Sequence, residues 1–521
     1  MSSSFRIAAC FLTVSLLSLA WCFQTTRPKE WKPGEVPVAF WSWRAEAPDQ
    51  SVVERAMQET HAHLLFLHAG QIDYTSRTLQ RIRSLKGPFP CGATVHLVYN
   101  GTRSLLANFE RLDPETMASI ISDTYGEDVA RARSDRSQVA GLQLDFDVPT
   151  RLLPLYAQIL RRVRGHLAPQ VKLSVTGLPT WIDSPQIKDV LEAADFWTPQ
   201  CYGATIPDQL QKVIPIASAP SIRRTIARLR QLGYPFYAGL PAYGEALLYS
   251  PEGALINLRG DLDPARVARD PNFELIERRP YEAPTPGDDP SHCASEWRYV
   301  YRALNEGVLE GLAFRTGDYL VLDVPSAASL RAYVRAVREE AGSKLLGICI
   351  FRLPSHDDTT TLTLGEIAAA LMDVTASTEA NVRIDRVNER AGGGANCASC
   401  LNITAINSGT ASALIGSDAL TLTMRVPAGS VRGVSSLDGF TSFETLCEIS
   451  ETSAPHRCGL PRANVIRLKA QTLTPGATAQ ARIVVQDEMP KALDTIVTMR
   501  IEDGRTYQNE GSISITTGDH R

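Results

Sequence analysis

Two carboxylates, Asp145 and Asp147, stand two residues apart in the stretch Gly141-Leu142-Gln143-Leu144-Asp145-Phe146-Asp147-Val148-Pro149. Leu142, Leu144 and Phe146 alternate with Gln143, Asp145 and Asp147. The stretch therefore reads as a short strand with one apolar face and one face carrying an amide and two acids. Strand rise sets the Cβ atoms of the two acids about 6.5–7 Å apart. Pro149 stops the strand, so the acids lie at its C-terminal end, which fits a catalytic mouth. Asp145 would raise the proton affinity of Asp147 by like-charge repulsion and help it stay protonated near neutral pH. The plainer reading is an edge strand with solvated acids.

A series of strands and helices must hold this pair. Val36–Trp43, His61–Ala69 and Cys91–Tyr99 read as strands before it, and Val171–Thr176, Ala194–Tyr202, Pro235–Ala242 and Lys344–Phe351 after it. Helical stretches fall between them at Asp49–Thr60, Ser76–Lys86, Pro114–Arg133 and Arg151–Leu167, with another near Leu364–Met372. Eight strands alternating with helices argue for an α/β fold with a parallel sheet. At this length the expected closure is a (β/α)₈ TIM barrel over residues 36–375. A doubly wound open sheet is the runner-up, but Trp41-Ser42-Trp43 is no Gly-rich phosphate turn. A long irregular insertion, about 243–321, follows the seventh strand; loops of that length are usually functional or lid-like. From about Asn381 Ser, Thr, Gly and Val rise and helical periodicity disappears. Ser417–Val426, Asn464–Thr472, Gln480–Gln486 and Thr495–Glu502 read as strands, so 381–521 is expected to be an all-β sandwich domain.

The chain of 521 residues carries a formal net charge of -4, which gives no reason to expect nucleic acid as a partner. Arg6 precedes an apolar run from Ile7 to Ala20, short for a membrane span of about 20 residues. Ser18-Leu19-Ala20 offers the small residues of a cleavage site, so residues 1–20 read as a signal peptide. The expected location is periplasmic or secreted, with membrane contact only through that peptide. A lipid anchor on Cys22 is the alternative, with Trp21 a poor neighbour for it. Export favours disulfides among Cys397, Cys400, Cys447 and Cys458, in a pairing left open. A zinc site is the rival, though Cys447 and Cys458 are too far apart for a second knuckle. Cys91, Cys201 and Cys349 sit in apolar runs and read as buried thiols.

Several stretches resemble the family-18 glycoside hydrolases, the chitinase-like barrels. Their fourth-strand motif, Asp-Gly-x-Asp-x-Asp-x-Glu, falls on Ala140 to Asp147; Gly141 and Asp145 match, Ala140 and Gln143 replace the first two aspartates, and Asp147 replaces the glutamate. The sixth-strand Met-x-Tyr-Asp resembles Gln200-Cys201-Tyr202-Gly203, keeping the tyrosine. Gly239-Leu240-Pro241-Ala242-Tyr243-Gly244 resembles the family's Gly-x-Pro-x-Tyr-Gly, after which that family also carries an insertion. The set resembles more closely still a bacterial family of uncharacterised proteins, domain-of-unknown-function family 3142. The resemblance covers about Val36 to Met372.

It implies glycoside cleavage, with Asp147 protonating the leaving oxygen and with support for an oxocarbenium-like centre. In family-18 chemistry the substrate's acetamido group is the nucleophile, which Asp145 and Tyr202 would orient. Gln143 would hydrogen-bond Asp145 in place of the missing acid. Alternatively Asp145 or another mouth acid is the nucleophile or base. Trp43 and Trp181 are the candidate sugar platforms, with Gln200, Tyr243 and Arg352 also at the expected mouth; Trp41 is expected beneath Trp43, and Trp197 in the core. His356-Asp357-Asp358 reads equally as surface loop or mouth. His61 and His63 lack an acid to complete a metal site, so no metal and no cofactor is expected. Two functions follow. One is an exported glycosidase acting on an envelope or extracellular polysaccharide or oligosaccharide. The other is a non-catalytic, lectin-like carbohydrate-binding barrel, to which the replaced motif acids point.

Overall fold

Val38–Ser42 pairs on one side with Leu64–Thr75 and on the other with Leu345–Phe351, so the first strand of the sheet also borders the last. This computed structural model describes residues 31–281, 295–355, 358–387, 399–449, 454–486, 488–502 and 504–517. Its eight barrel strands are, in chain order, Val38–Ser42, Leu64–Thr75, Thr94–Gly101, Gln138–Asp145, Lys172–Gly177, Phe196–Pro199, Phe236–Pro241 and Leu345–Phe351. All neighbouring pairs are parallel and the ring is closed. The expected (β/α)₈ barrel is therefore observed.

The first of two compact units, Met1–Thr205, Ile216–Pro241 and Ala332–Ser355, holds the barrel. Its first and seventh strands are buried at every position, as strands of a parallel barrel must be when both faces are covered. Ala39, Phe66, Phe196, Tyr237 and Cys349 pack together in one core. Among them lies His96, whose ring is 5.5 Å from Phe66 and 5.6 Å from Phe196. A Cβ on Gly141 would stand 2.5 Å from that imidazole. The glycine of the fourth strand is thus fixed by His96, its register partner on the neighbouring third strand. Burial pushes the His96 pKa down to about 4, which keeps the ring neutral.

Helices Gln50–Thr60, Pro114–Ser134, Leu153–His166 and Ala219–Leu232 cover the strands. Pro114–Ser134 starts where its sequence requires: Asp113 accepts a hydrogen bond from the Thr116 amide at 2.8 Å, and Pro114 follows the cap. One expected helix is absent. Thr78–Ser84, inside the predicted Ser76–Lys86 helix, is a strand paired antiparallel with the second barrel strand. Ser76 and Arg77 both have positive φ, the conformation of a two-residue hairpin turn. Arg81 on this strand reaches the buried Asp128 at 2.6 Å, an ion pair that a helix there would not place.

The second unit comprises Ile206–Pro215, Ala242–Arg331 and His356–Arg521. The insertion, expected to be irregular, instead forms a five-stranded antiparallel sheet from Glu245–Tyr249, Leu255–Arg259, Phe273–Pro280, Trp297–Ala303 and Tyr319–Val324. Its edge strands carry charged residues and Pro280, which hide their strand character in the sequence. The C-terminal part is all β, as expected. Its ten strands among the described residues form one continuous curled sheet, because Thr506–Thr517 pairs antiparallel with Ala492–Arg500 and parallel with Ala380–Val387. The two halves of the sheet face each other across one core containing Ile384, Ile403, Leu422, Leu468, Ile483 and Met499.

Cys447 and Cys458 form a disulfide with Cα atoms 5.8 Å apart, which sets aside the zinc reading for that pair. Cys400 is also disulfide-bonded. Cys91, Cys201 and Cys349 are free thiols, the last two buried. The signal segment, Cys22, Cys397 and His356-Asp357 lie outside the described residues. Among the described residues no helix is long and apolar enough to cross a membrane.

Candidate active site

Alternation along the fourth barrel strand turns Gly141, Gln143 and Asp145 inward and Leu142 and Leu144 outward. Gln143 is fully buried. Its oxygen accepts from Trp41 Nε1 at 2.8 Å, and its nitrogen donates to Thr198 Oγ1 at 3.1 Å and to Ser174 Oγ at 3.4 Å. The expected bond from Gln143 to Asp145 is corrected. Partners from the first, fifth and sixth strands meet the amide at its own depth, one step below Asp145. Gln143 is thus a floor of the site and is removed from the residues that can touch a ligand. Trp41 lies inward beneath Trp43, as its strand position predicts.

Asp145 ends the strand and is partly exposed. The Thr176 hydroxyl donates to its Oδ1 at 2.6 Å. Burial raises the proton affinity of Asp145, and the Thr176 bond opposes that rise by favouring the charged form. Asn100 on the third strand is its register partner and lies 3.2 Å from His68 Nε2. Burial lowers the His68 pKa, so this ring resists protonation.

Asp147 lies just past the strand, on the same alternation, and is exposed. Its pKa is nevertheless pushed up to about 6, first by lost hydration and then by the charge of Asp145. The concave end of a barrel reconciles the two observations: water reaches the carboxyl, while protein on its sides thins its hydration. Between them the two aspartates hold a proton more readily than two isolated carboxyls would.

Phe146 and Val148 alternate with Asp147 and are buried. Phe146 packs on Tyr156 with ring centroids 6.0 Å apart. The Val148 carbonyl accepts from Trp181 Nε1 at 2.9 Å. Trp181 has no exposed surface and packs on Tyr156 at 6.0 Å. It is therefore no sugar platform, correcting the expectation. Its indole packs against the apolar side of the segment that carries Asp147 and satisfies the Val148 carbonyl. Trp197 is in the core, as expected.

Trp43 is half-buried. The guanidinium of Arg352, itself buried, lies 4.8 Å from its ring centroid. This is a cation–π contact that holds the indole. Phe351 joins Trp41 at 5.6 Å to Tyr202 at 6.0 Å, the latter stacked at 24°. Tyr202 and Gln200 are half-buried, and Gln200 is pinned by its backbone amide to the Gly177 carbonyl at 2.8 Å. Tyr243 belongs to the second unit, where it bridges to Thr361. Sequence reasoning missed Thr176, Ser174, Thr198, Asn100 and His68. A signal existed for two of them: Ser174 and Thr176 alternate with Leu173 and Val175, so they share one face of the fifth strand. Among the described residues no three His, Cys, Asp or Glu side chains gather as metal ligands.

Residues 106–263, which include Asp145, Asp147, Tyr202 and Tyr243, match the family model described as domain of unknown function (DUF3142). No curated protein matches the chain. Similar solved structures include the spore cortex-lytic enzyme SleL of Bacillus megaterium QM B1551, at 14% identity over 66% of this chain and 75% of that one, TM-score 0.41. A chitinase from Chromobacterium violaceum ATCC 12472 is 15% identical over 65% of this chain and 98% of that one, TM-score 0.42. A glycoside hydrolase family 18 N-acetylglucosaminidase from Paenibacillus barengoltzii is 11% identical over 64% and 99%, TM-score 0.39.

Proposed function

We propose that this is an exported protein whose barrel hydrolyses glycosidic bonds of an envelope or extracellular polysaccharide or oligosaccharide. One observation carries the reading. Asp147 is open to solvent at the end of the fourth strand, yet its carboxyl keeps a proton up to about pH 6 beside a second carboxyl. That is what a general acid for a glycosidic oxygen requires. Asp147 gives its proton to the leaving oxygen as the bond breaks. Asp145, tied by Thr176, offers negative charge to the cationic centre that forms, and Tyr202, stacked on Phe351 past the sixth strand, is the second candidate to support that centre. Trp43, braced by Arg352, is the platform for a sugar ring. A disulfide between Cys447 and Cys458 agrees with export.

A second reading, a carbohydrate-binding barrel without turnover, is favoured by Gln143. Its amide takes the place of a carboxylate and cannot relay a proton. The two are separated by incubating the mature protein with a polysaccharide panel and measuring both new reducing ends and protein retained on the solid. New reducing ends that vanish with Asp147→Asn support the hydrolase. Retention without any cleavage selects the binding barrel, and neither result rejects both.

A further inference from the structure

In the C-terminal domain Ala380–Val387, Cys400–Asn407, Thr478–Val485 and Val431–Asp438 are neighbouring strands; the second and third alternate between a buried and an open face, and the last is an open edge strand. The register aligns Ile384, Ile403 and Ala481 across three strands, and all three enter the core. On the other face the same register makes two parallel rows. One is Arg383, Thr404, Gln480 and Asp438; the other is Asp385, Asn402, Arg482 and Ser436. A solvated sheet face is ordinarily no cavity, but this one lines a groove of about 340 Å³. That size falls at the lower end of small-ligand sites, which run about 300–1,000 Å³.

We propose that this groove binds a segment of a neutral glycan chain. Each of the eight outward side chains donates or accepts hydrogen bonds, and four of them do both. None of these eight is aromatic or aliphatic; Val387 adds apolar lining at one end of the groove, short of the aromatic anchors on which protein interfaces depend. Two arginines balance two aspartates, and Arg383 Nε donates to Asp385 Oδ2 at 2.6 Å within the face. A polyanion finds no net charge to bind here, whereas a sugar's hydroxyls find donors and acceptors in both directions. Neighbours within a row stand about 4.8 Å apart from strand to strand, and the two rows about 6.8 Å apart along each strand. These separations are on the scale of one sugar ring and its substituents. The choice of a glycan rests on the proposed function; the groove itself does not.

The test uses the full chain carrying Asp147→Asn, so that no probe is consumed. The β-1,4 hexasaccharides of N-acetylglucosamine and of glucose are titrated in turn, with a uronic-acid hexasaccharide as the charged control. The side-chain amide signals of Asn402 and Gln480, assigned by substitution, report the groove alone by nuclear magnetic resonance. A saturable shift of both signals with a neutral hexasaccharide is expected. Arg482→Ala should weaken the affinity read at these signals about tenfold, the loss of one or two hydrogen bonds. Ser436→Ala, at the rim, should weaken it less while leaving the melting curve unchanged. No shift with either neutral probe, shifts with the charged probe only, or shifts indifferent to both substitutions would overturn the proposal. Groove shifts in a protein that cleaves nothing remove the hydrolase and keep the groove; cleavage by the Asp147 form without groove shifts does the reverse.

Discussion

The Thr176 hydroxyl holds Asp145 through a 2.6 Å hydrogen bond to Oδ1 and so supports a carboxylate that burial otherwise disfavours. Thr176→Val keeps the shape and removes the donor. The proton affinity of Asp145 should rise further, and turnover should fall about 10–100-fold, matching a charge-assisted hydrogen bond of about 1.5–3 kcal/mol. Carbon-13 spectra of labelled aspartate read the titration directly, and Thr176→Ser should restore it. An unmoved titration would show that the bond does not control Asp145.

Asp147→Asn removes the transferable proton at constant size. Turnover should drop about 10²–10⁴-fold with binding preserved. Equal activity in steady-state assays would refute the assignment.

The pH dependence has a definite sign. As an acid, Asp147 works only while protonated, so kcat/KM should decline as pH rises through about 6. Asp145→Asn takes away the like charge but not the burial, which is the larger cause. The decline should therefore move to lower pH without reaching that of a free aspartate. Stability follows the same proton. The folded pKa of Asp147 is raised, so the folded state binds more protons between about pH 4 and pH 6, and stability falls as pH rises through that window. Asp147→Asn should melt higher than the parent at pH 7, by an amount that disappears near pH 3. A difference that grows on acidification would contradict this.

The two tryptophans flanking the site should behave oppositely. Trp181→Ala empties a fully buried position and should cost about 3–5 kcal/mol in denaturant unfolding. Trp43→Ala should cost far less stability and should weaken oligosaccharide binding, read by calorimetry. The reverse pattern would mean that Trp43 serves packing alone.

Gly141→Ala puts a methyl carbon against the His96 ring and should destabilise by about 1–3 kcal/mol. His96→Ala opens that space, so the double variant should be less unstable than the sum of the single ones. Strict additivity in urea unfolding would exclude direct contact as the cause.

The strand carrying Asp145 and the barrel around it were legible because period-two alternation and buried runs such as Phe236–Pro241 leave few other folds. Thr78–Ser84 was not, since its strand identity depends on a turn at Ser76-Arg77 that ordinary residues adopt with positive φ. Trp181 was misplaced for a different reason. Its position after the fifth strand suggests the mouth, but the indole packs on Tyr156, a residue distant in sequence. Gln143 illustrates depth: alternation gives the face a residue takes, and only the neighbouring strands give the layer it occupies.

Closure of the barrel depends on Val38 meeting Ile348, two residues separated by nearly all of the first unit and the whole insertion. A nascent chain therefore exposes the fully buried first strand from early in synthesis and receives its last partner only after the five-stranded sheet has been made. Such long-range pairing is slow, and unpaired apolar edges invite association with other chains. Until the eighth strand is available, the barrel of such a chain stays open along the edge of its first strand.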